Sequence, residues 1–442
     1  MLTAMLDPAT ARIRLQEALG TDASVELLDL KVRDVHVRDG WIVQYSCRLA
    51  TAGNESSQAM LLTAQQIAAE DYRRYERRLL RLRPNDPQER RLLTGLVGRH
   101  AEAGFLIYPF PLDLKLPHLL EAVQREAVLA ELQAVSPDTL SRFGAVKHFT
   151  AKPLRYVSGR RCQILFTLVN SGGTRLQLLG KVFRDGRGEQ LGCLMNDVAD
   201  LYANFGDESV SAPRSLGYSS RLRMLFQEFV PGETLLDRMR TGEADEAAMA
   251  GAARAAVVFH RSRLAPTARY EVDDEWKLLE RSRRQLSEVR GTTYAFEELF
   301  RAVGAECEQP RGGTLAPVHR DFYDKQLLQT ANHTALIDLD QAAIGNPEID
   351  LANFLVHLRL RMRQGTISNA QESLWKAKFL NEYSAASESE PCDRKLKFFF
   401  ASACLRMAAK YRLRGAPEKI VSNLLNDGRA AIAAIREYRR AS

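Results

Sequence analysis

The sequence has little cysteine, with six residues in 442 that are spread from Cys47 to Cys404 and form no C-x-x-C pair. A disulfide framework needs more cysteines in a shorter chain, and a zinc site needs clustered ligands, so free thiols in a reducing cytoplasm are predicted. No stretch approaches 18 uncharged apolar residues, because Arg254 interrupts the alanine-rich run 247–259. This absence argues against a membrane span. Residues 1–16 include Asp7 and no apolar core, and predict no secretion signal.

The charge excess is small: 62 basic against 55 acidic residues give a net charge of +7. The most basic stretch lies between Arg73 and Arg99. Apolar residues recur there at spacings of three and four, which predicts one buried helix face: Ala68, Tyr72, Tyr75, Leu79 and Leu82. No pattern of interleaved glycines and aromatics for base stacking accompanies the arginines. We therefore expect a solvated helix face and no nucleic-acid partner.

The length predicts two or three domains. Residues 27–49 alternate apolar and polar around Asp39-Gly40, which indicates a hairpin. Residues 1–135 are interpreted as an accessory N-terminal unit of unknown function, with a hairpin and helices. Strands are expected at 153–156, 163–169, 176–183 and 224–229, with a helix at 188–204. The later helices are expected at 243–262, 273–288, 347–363, 370–385, 393–414 and 417–439.

A strand-rich portion followed by a helix-rich portion is typical of an α+β protein. We therefore assign 136–230 to a small β-sheet lobe and 231–442 to a helical lobe. Together with residues 1–135, this arrangement predicts an α+β fold of two lobes and one additional N-terminal α/β unit.

The strongest chemical signal lies between Val318 and Leu355. Phosphoryl transfer from ATP needs a carboxylate near the acceptor hydroxyl, oxygen ligands for Mg²⁺ and a cation on the phosphates. Asp321, followed five residues later by Gln326, supplies a carboxylate and an amide oxygen. The apolar strand 335–337 then leads to Asp338, a second hard oxygen ligand. The spacing predicts that Asp321 and Asp338 face one cleft.

This stretch resembles the aminoglycoside phosphotransferase/choline kinase superfamily, which comprises small-molecule relatives of the protein kinases. The family pattern H-x-D-x-x-x-x-N, then I-D, then D-hydrophobic-A is matched by His319, Asp321, Asp338 and 350–352. The resemblance implies a protein-kinase-like fold, with Asp321 as the catalytic base and Asp338 as a Mg²⁺ ligand. It also implies that His319 orients the loop and that Asp350 is a structural acid. The sequence alone also predicts Asp350 to be the N-cap of a helix.

Two positions depart from related patterns. Gln326 stands where most members of the superfamily have Asn, although the maltokinase branch also carries Gln there. The amide oxygen is kept, so the prediction of Gln326 as a metal ligand stands. Asp340 stands where protein kinases have the glycine of D-F-G, and two interpretations remain open: a solvated acid or an added metal ligand.

The upstream half resembles the nucleotide-binding lobe of the same superfamily. Lys181, on a predicted strand, is expected to contact the phosphates of ATP. The turn with Ser158 and Gly159 stands at the position of the phosphate-covering loop, although an ordinary hairpin turn has the same sequence features. The backbone from Glu228 to Val230 is expected to bind adenine as the hinge. Three acids remain open as partners of Lys181, namely Glu189, Asp197 and Asp200. His260 is interpreted as a packing or capping residue.

The sequence therefore predicts a cytoplasmic kinase that uses ATP and Mg²⁺ to phosphorylate a hydroxyl of a small molecule such as a sugar, an amino alcohol or an aminoglycoside. Only 12 residues separate Asp338 from Asp350, too few for the activation segment of a protein kinase. The alternative is a nucleotide-binding pseudokinase or scaffold that acts through residues 1–135. The acceptor and the oligomeric state are left open. An acidic run, 273–275, and Trp276 could serve an acceptor, or could be a solvated helix start and a core tryptophan.

Overall fold

The computed structural model describes residues 2–19, 25–37, 40–51, 57–82, 93, 95–100, 104–206, 208–307, 312, 314–330 and 332–441. Asp39, which entered the hairpin prediction, lies outside these residues. The chain divides into two compact units. The first unit contains residues 1–192 and 215–229, and the second contains 193–214 and 230–442.

The strands, in chain order, are β1 Val25–Val37, β2 Trp41–Thr51, β3 Gln58–Gln66, β4 Gly98–His100, β5 Phe105–Pro109, β6 Val146–Val157, β7 Arg161–Asn170, β8 Arg175–Phe183, β9 Val210–Ser211, β10 Ser215–Ser219, β11 Met224–Glu228, β12 Glu233–Thr234, β13 Arg269–Tyr270, β14 Ala316–Val318, β15 Leu327–Gln329, β16 Thr334–Leu336 and β17 Ala343–Gly345.

The α-helices are α1 Leu2–Leu6, α2 Pro8–Ala18, α3 Tyr72–Arg81, α4 Arg125–Val135, α5 Pro137–Phe143, α6 Gly188–Asn204, α7 Leu235–Thr241, α8 Glu246–His260, α9 Val272–Val289, α10 Tyr294–Ala305, α11 Glu348–Arg363, α12 Asn369–Ser387, α13 Asp393–Leu413 and α14 Glu418–Ala441. Short 3₁₀ helices occur at Ala69–Asp71, Pro117–Leu119, Glu121–Val123 and Leu339–Gln341.

The N-terminal part of the first unit is a five-stranded antiparallel sheet with the order β1-β2-β3-β5-β4. The predicted hairpin is confirmed, because Val37 of β1 pairs with Trp41 of β2. Gly40 between them has a φ of 115°, a backbone region that favours glycine. The α2 side chains Ala11 and Leu15 pack in the core of this sheet. The prediction of a hairpin and helices missed β3, β4 and β5.

The predicted helix face in the arginine-rich stretch is confirmed from Tyr72 onward, whereas Ala68, predicted on the same face, is exposed and precedes α3. Leu79 on α3 is fully buried. Tyr72, Tyr75 and Leu82 pack against the same small core cluster, whereas Arg73, Arg74, Arg77 and Arg78 are exposed. The arginines therefore occupy the solvent side of α3.

A second antiparallel sheet of the first unit has the order β10-β11-β8-β7-β6. Along β7 every second residue is fully buried, namely Cys162, Ile164, Phe166 and Leu168, as the period of a strand requires. Gly180 on β8 lies directly against this layer, since a Cβ there would come within 2.4 Å of the Phe166 ring. The three strands predicted at 153–183 are confirmed.

Residues upstream of position 135 complete the core of this second sheet. Leu116, Val128 and Leu132 are buried in the same cluster as Ile164 and Phe166. Apolar packing therefore crosses residue 135, where the sequence places the end of an accessory unit. The division at 135 remains a prediction.

The second unit is mainly helical, and a core cluster there joins α9, α10, α11, α13 and α14. Two small sheets, β12-β15-β16-β9 and β13-β17-β14, position the loops that carry the predicted chemistry. The helices predicted downstream of 243 are all present with bounds shifted by a few residues, whereas α10 was missed. The α+β class is thus confirmed. Among the described residues, no helix has both the length and the apolar character that crossing a bilayer requires.

Candidate active site

Asp350, in the first turn of α11, organises the loop that follows β14. Its carboxylate is fully buried and accepts hydrogen bonds from the backbone N–H groups of His319 and Arg320, both at 2.6 Å. A third bond comes from Nε2 of His260 at 3.0 Å. The helix begins at Glu348 with Pro347 at the N-cap, so the interpretation of Asp350 as the N-cap was wrong. Its carboxylate instead holds the backbone of another segment.

His319 fixes the loop from the inside. Its Nδ1 accepts the backbone N–H of Asp321 at 3.3 Å, so the ring proton sits on Nε2, which donates to the Ile337 carbonyl at 2.9 Å. The ring is fully buried and meets Phe259 and Phe322 edge-on. His319 therefore ties the segment before Asp321 to the segment before Asp338, which supports its expected role in orienting the loop.

Two residues near the site adopt the left-handed backbone conformation although neither is glycine. Arg320 and Asp338 each have a φ of 65°. This conformation costs on the order of 1–2 kcal/mol for a residue with a Cβ. At Arg320 the guanidinium lies 3.5 Å from the centre of the Tyr270 ring and donates to the Gln341 carbonyl. Tertiary contacts therefore hold the strained backbone in place.

The structure brings Asp321, Gln326 and Asp338 together. The side-chain nitrogen of Gln326 lies 3.1 Å from a carboxylate oxygen of Asp321 and 3.5 Å from a carboxylate oxygen of Asp338. Gln326 is buried, and its backbone carbonyl accepts the N–H of Ile337. The two carboxylates are half-buried. One amide therefore spans the two acids that the sequence predicts to share a cleft.

The donors at this position suit a magnesium ion. Carboxylate and amide oxygens are the hard ligands that Mg²⁺ binds, with phosphate oxygens or water completing the coordination. Among the described residues, no group of three or more His, Cys, Asp or Glu side chains is arranged to hold a metal ion. An ion here would therefore rely on Asp338 and the amide of Gln326. As oriented, that amide directs its N–H groups at the acids, so it would need to turn over to offer its oxygen.

Sequence reasoning missed Asp324, which anchors the same loop. Its carboxylate forms a bidentate ion pair with Arg361 of α11, at 2.6 and 3.1 Å, and both side chains are buried. Asn353, also on α11, donates to the Arg320 carbonyl at 2.8 Å. Three residues of α11, namely Asp350, Asn353 and Arg361, therefore bind the loop from 319 to 326. The only sequence signal for Asp324 was its place within the motif.

In the first unit, the turn between β6 and β7 is bound to Asp113, another residue that the sequence did not indicate. One carboxylate oxygen accepts the Ser158 hydroxyl at 3.0 Å, the Gly159 N–H at 2.8 Å and the Tyr156 hydroxyl at 2.7 Å. The other accepts the N–H groups of Lys115 and Leu116. Burial, followed by the nearby carboxylate, raises the pKa of the Tyr156 hydroxyl well above its usual value.

Ser158 and Gly159, predicted to cover the phosphates, therefore already donate to Asp113. Ser158 is fully buried, and Gly159 has a φ of 68°, which the tight turn requires. Their contribution to a phosphate site remains a prediction.

The other predicted nucleotide contacts are distributed over both units. Lys181 is buried on the central strand β8, where it pairs with Gln163 of β7 and Leu225 of β11. Glu228 is the last residue of β11, in the first unit. Val230 is the first residue of the segment 230–442, which belongs to the second unit. The predicted hinge thus coincides with the boundary between the units, and its contact with adenine remains a prediction.

The structure bears on two questions that the sequence left open: which acid pairs with Lys181, and whether residues 273–276 serve an acceptor. Asp200 pairs with Arg214 at 2.5 Å. Glu275 is buried and pairs with Arg406, while Trp276 stacks against Phe300 with ring centres 4.6 Å apart. The interpretation of 273–276 as a helix start with a core tryptophan is therefore supported. Asp273 is exposed, and Asp274, whose side chain is 41% exposed, pairs with Lys277 at 3.1 Å.

Comparisons with known proteins place the chain in a family. The model of the phosphotransferase enzyme family (APH) matches residues 168–397, just over half of the chain. The chain therefore belongs to this family and is a phosphotransferase of the small-molecule kinase type, as predicted. Family membership also confirms the protein-kinase-like fold. No curated protein matches the chain.

Solved structures with a similar fold include a choline kinase from Streptococcus pneumoniae, at 13% identity and a TM-score of 0.45 over 67% of this chain and 97% of that one. A choline kinase from Cryptosporidium parvum is similar at 12% identity and a TM-score of 0.46, over 72% and 96% of the two chains. A macrolide 2'-phosphotransferase from Brachybacterium faecium is similar at 15% identity and a TM-score of 0.43, over 69% and 98%.

Proposed function

We propose that the chain transfers the γ-phosphoryl group of ATP to a hydroxyl group of a small molecule. The observation that carries this proposal is the contact of Gln326 with both Asp321 and Asp338. Three oxygen-bearing side chains from two separate segments converge there, in the part of the chain that the family model matches. Such an arrangement is what phosphoryl transfer needs for a positioned base beside a metal-bound phosphate.

Each residue has a distinct task in this proposal. Asp321 orients the acceptor hydroxyl and takes its proton on a carboxylate oxygen. Asp338 and Gln326 hold Mg²⁺, which when bound offsets the negative charge of the phosphates. Lys181 contacts the phosphates of ATP, and the turn with Ser158 and Gly159 lies over them. The backbone from Glu228 to Val230 binds adenine.

A small acceptor is supported by the segment between Asp338 and Asp350. The structure fills these residues with a 3₁₀ helix, Leu339–Gln341, and the strand Ala343–Gly345, before α11 begins at Glu348. No length of chain is left over for a segment that binds a polypeptide substrate. We therefore propose a sugar, an amino alcohol or an aminoglycoside-like acceptor.

The test incubates the full chain with Mg·ATP and a panel of these three acceptor classes and detects phosphorylated product by mass spectrometry. Asp321→Asn should reduce kcat by about 10²–10⁴-fold, the usual contribution of a general base. Asp338→Asn should reduce turnover similarly and weaken the dependence on magnesium. Asp393→Asn, at an exposed acid on α13, is the matched control and should leave turnover unchanged.

Two results would contradict the proposal. The first is an active preparation in which Asp321→Asn has no effect. The second is stabilisation by ATP in a thermal melt without turnover above the level of Asp338→Asn, which would favour the pseudokinase alternative.

A further inference from the structure

A cavity of about 510 Å³ lies in the first unit, and none of the residues proposed above for catalysis or nucleotide binding is among its lining residues. Its walls come from four places in the sequence: the end of β3 with α3, the segment 114–117, the residue after β8 and the residue before β11. The lining residues are Gln65, Ile67, Ala68, Asp71, Arg74, Tyr75, Arg78, Leu114, Lys115, Pro117, Arg184 and Arg223. Small-molecule sites have volumes in this range, about 300–1,000 Å³.

The charge of the cavity wall is mainly positive. Five of the lining residues are basic and one, Asp71, is acidic. That acid lies 3.7 Å from Arg74, so its charge is partly offset by a residue of the same wall. Burial, and then the positive charge of the Arg223 guanidinium, lower the pKa of His118, which lies next to Pro117 in the sequence. A concave surface lined with cations concentrates the field and attracts anions.

Two of the cations are held in place by the fold. Arg223 adopts the left-handed conformation, with a φ of 48°, and its guanidinium donates to the Arg184 carbonyl. Lys115 packs against the turn between β6 and β7, since a Cβ on Gly159 would lie 3.4 Å from its side chain. The N–H of Arg184 donates to the Arg160 carbonyl of the same turn. The part of the wall formed by Arg223, Lys115 and Arg184 is therefore held in place by segments that are distant in sequence.

We propose that this cavity binds a phosphorylated small molecule that carries at least two negative charges. Guanidinium groups bind phosphate oxygens in pairs, and four of the five cations are arginines. The bounded volume suits a diphosphate or a sugar bisphosphate, and a long polyanion would extend beyond it. Because Lys115 and Arg184 contact the β6–β7 turn, the bound anion would lie beside that turn.

The test measures binding to the full chain by isothermal titration calorimetry, without nucleotide or metal. Inorganic pyrophosphate and fructose 1,6-bisphosphate are the two probes, which separate a free phosphate anion from a phosphate ester. Uncharged fructose is the negative control. Because binding heat is the readout, the result does not depend on whether the chain has the proposed kinase activity.

The deciding variants lie on one helix. Arg74→Ala with Arg78→Ala should weaken binding of at least one probe by about tenfold or more, because charge-assisted bonds to phosphate are lost. Arg73→Ala with Arg77→Ala removes the same charge from the side of α3 that does not line the cavity, and should leave the affinity nearly unchanged. All four side chains are exposed, so neither pair should unfold the protein.

Four outcomes would overturn the proposal: no binding of either probe, equal weakening by the two pairs, binding that only Lys181→Ala removes, or equal binding of fructose. Equal weakening of binding by the two arginine pairs would indicate that the anion is attracted by the general positive charge of α3. Loss of binding only in Lys181→Ala would show that the measured heat comes from the nucleotide site.

Discussion

At the scale of single residues, the site depends on buried polar groups whose partners are far away in sequence. Asp350 accepts three hydrogen bonds and Asp113 accepts five, and both carboxylates are buried. A buried carboxylate is tolerated only when such donors replace water. These acids therefore fix backbone segments that would otherwise lack a defined conformation.

His357 gives a prediction about pH at this scale. Its ring stacks on Tyr323 with centres 4.2 Å apart, and Nδ1 faces the guanidinium of Arg361. Burial, and then the charges of Arg361, Lys410, Arg406 and Lys325, lower the pKa of His357 well below its ordinary value. Below pH 6.5 the unfolded chain therefore binds a proton that the folded chain does not, and stability falls as the pH falls.

We expect the free energy of unfolding to drop by about 1 kcal/mol between pH 7.5 and 5.5 on account of this residue. Urea titrations of the wild type and of His357→Gln at the two pH values measure the difference. The matched control, His148→Gln at an exposed position on β6, should retain the wild-type profile. An unchanged drop in the His357→Gln variant would show that another group is responsible.

The residues of the motif between 318 and 355 could be predicted from sequence because their spacing is set by local backbone structure. Asp321, Gln326 and Asp338 meet as expected. Asp113 and Asp324 could not be predicted, because what distinguishes them is a partner 45 or 37 residues away. A single acid in a sequence carries no sign of a tertiary contact.

At the scale of elements, the ion pair of Asp324 with Arg361 links the loop from 319 to 326 to α11. Asp324→Ala leaves Arg361 as a buried charge without its partner, so we expect a loss of about 3–5 kcal/mol in the free energy of unfolding. The double variant Asp324→Leu, Arg361→Met should recover much of this loss, because no charge remains buried. Urea unfolding of the single and double variants gives the coupling energy.

A surface pair provides the control for this prediction. Asp393→Ala removes the exposed partner of Lys397 on α13, and should change stability by less than about 1 kcal/mol. If Asp324→Ala proved as mild as Asp393→Ala, the loop would not depend on this link.

Length alone did not decide which elements were predictable, since the nine-residue β3 and the twelve-residue α10 were missed. The helix at 188–204 was predicted at its observed bounds, since its apolar residues repeat over several turns. Of the strands β12–β17, β16 was predicted as 335–337, whereas the others contain two or three residues each, too few to show an alternating pattern. They exist because their neighbours in space pair with them, and they are also the strands that carry the loops of the site.

At the scale of the whole molecule, the N-terminal residues take part in the core of the β-sheet lobe. Leu116, Val128 and Leu132 are buried with Ile164 and Phe166. A chain of residues 136–442 would expose that apolar surface to water. We expect it to lose the cooperative thermal transition of the full chain and to bind a hydrophobic dye. A soluble fragment that melts at the temperature of the full chain would show that residues 1–135 form a separate domain.

The strained backbone at Arg320 has an evolutionary consequence. Glycine would adopt its φ of 65° without strain, which would relieve about 1–2 kcal/mol of backbone strain at this position. Laboratory evolution for heat resistance alone should therefore favour glycine at 320. The same selection would discard the contact with Tyr270 and leave the residue before Asp321 freer to move. Retention of arginine under combined selection for heat resistance and turnover would identify this strain as a requirement of catalysis.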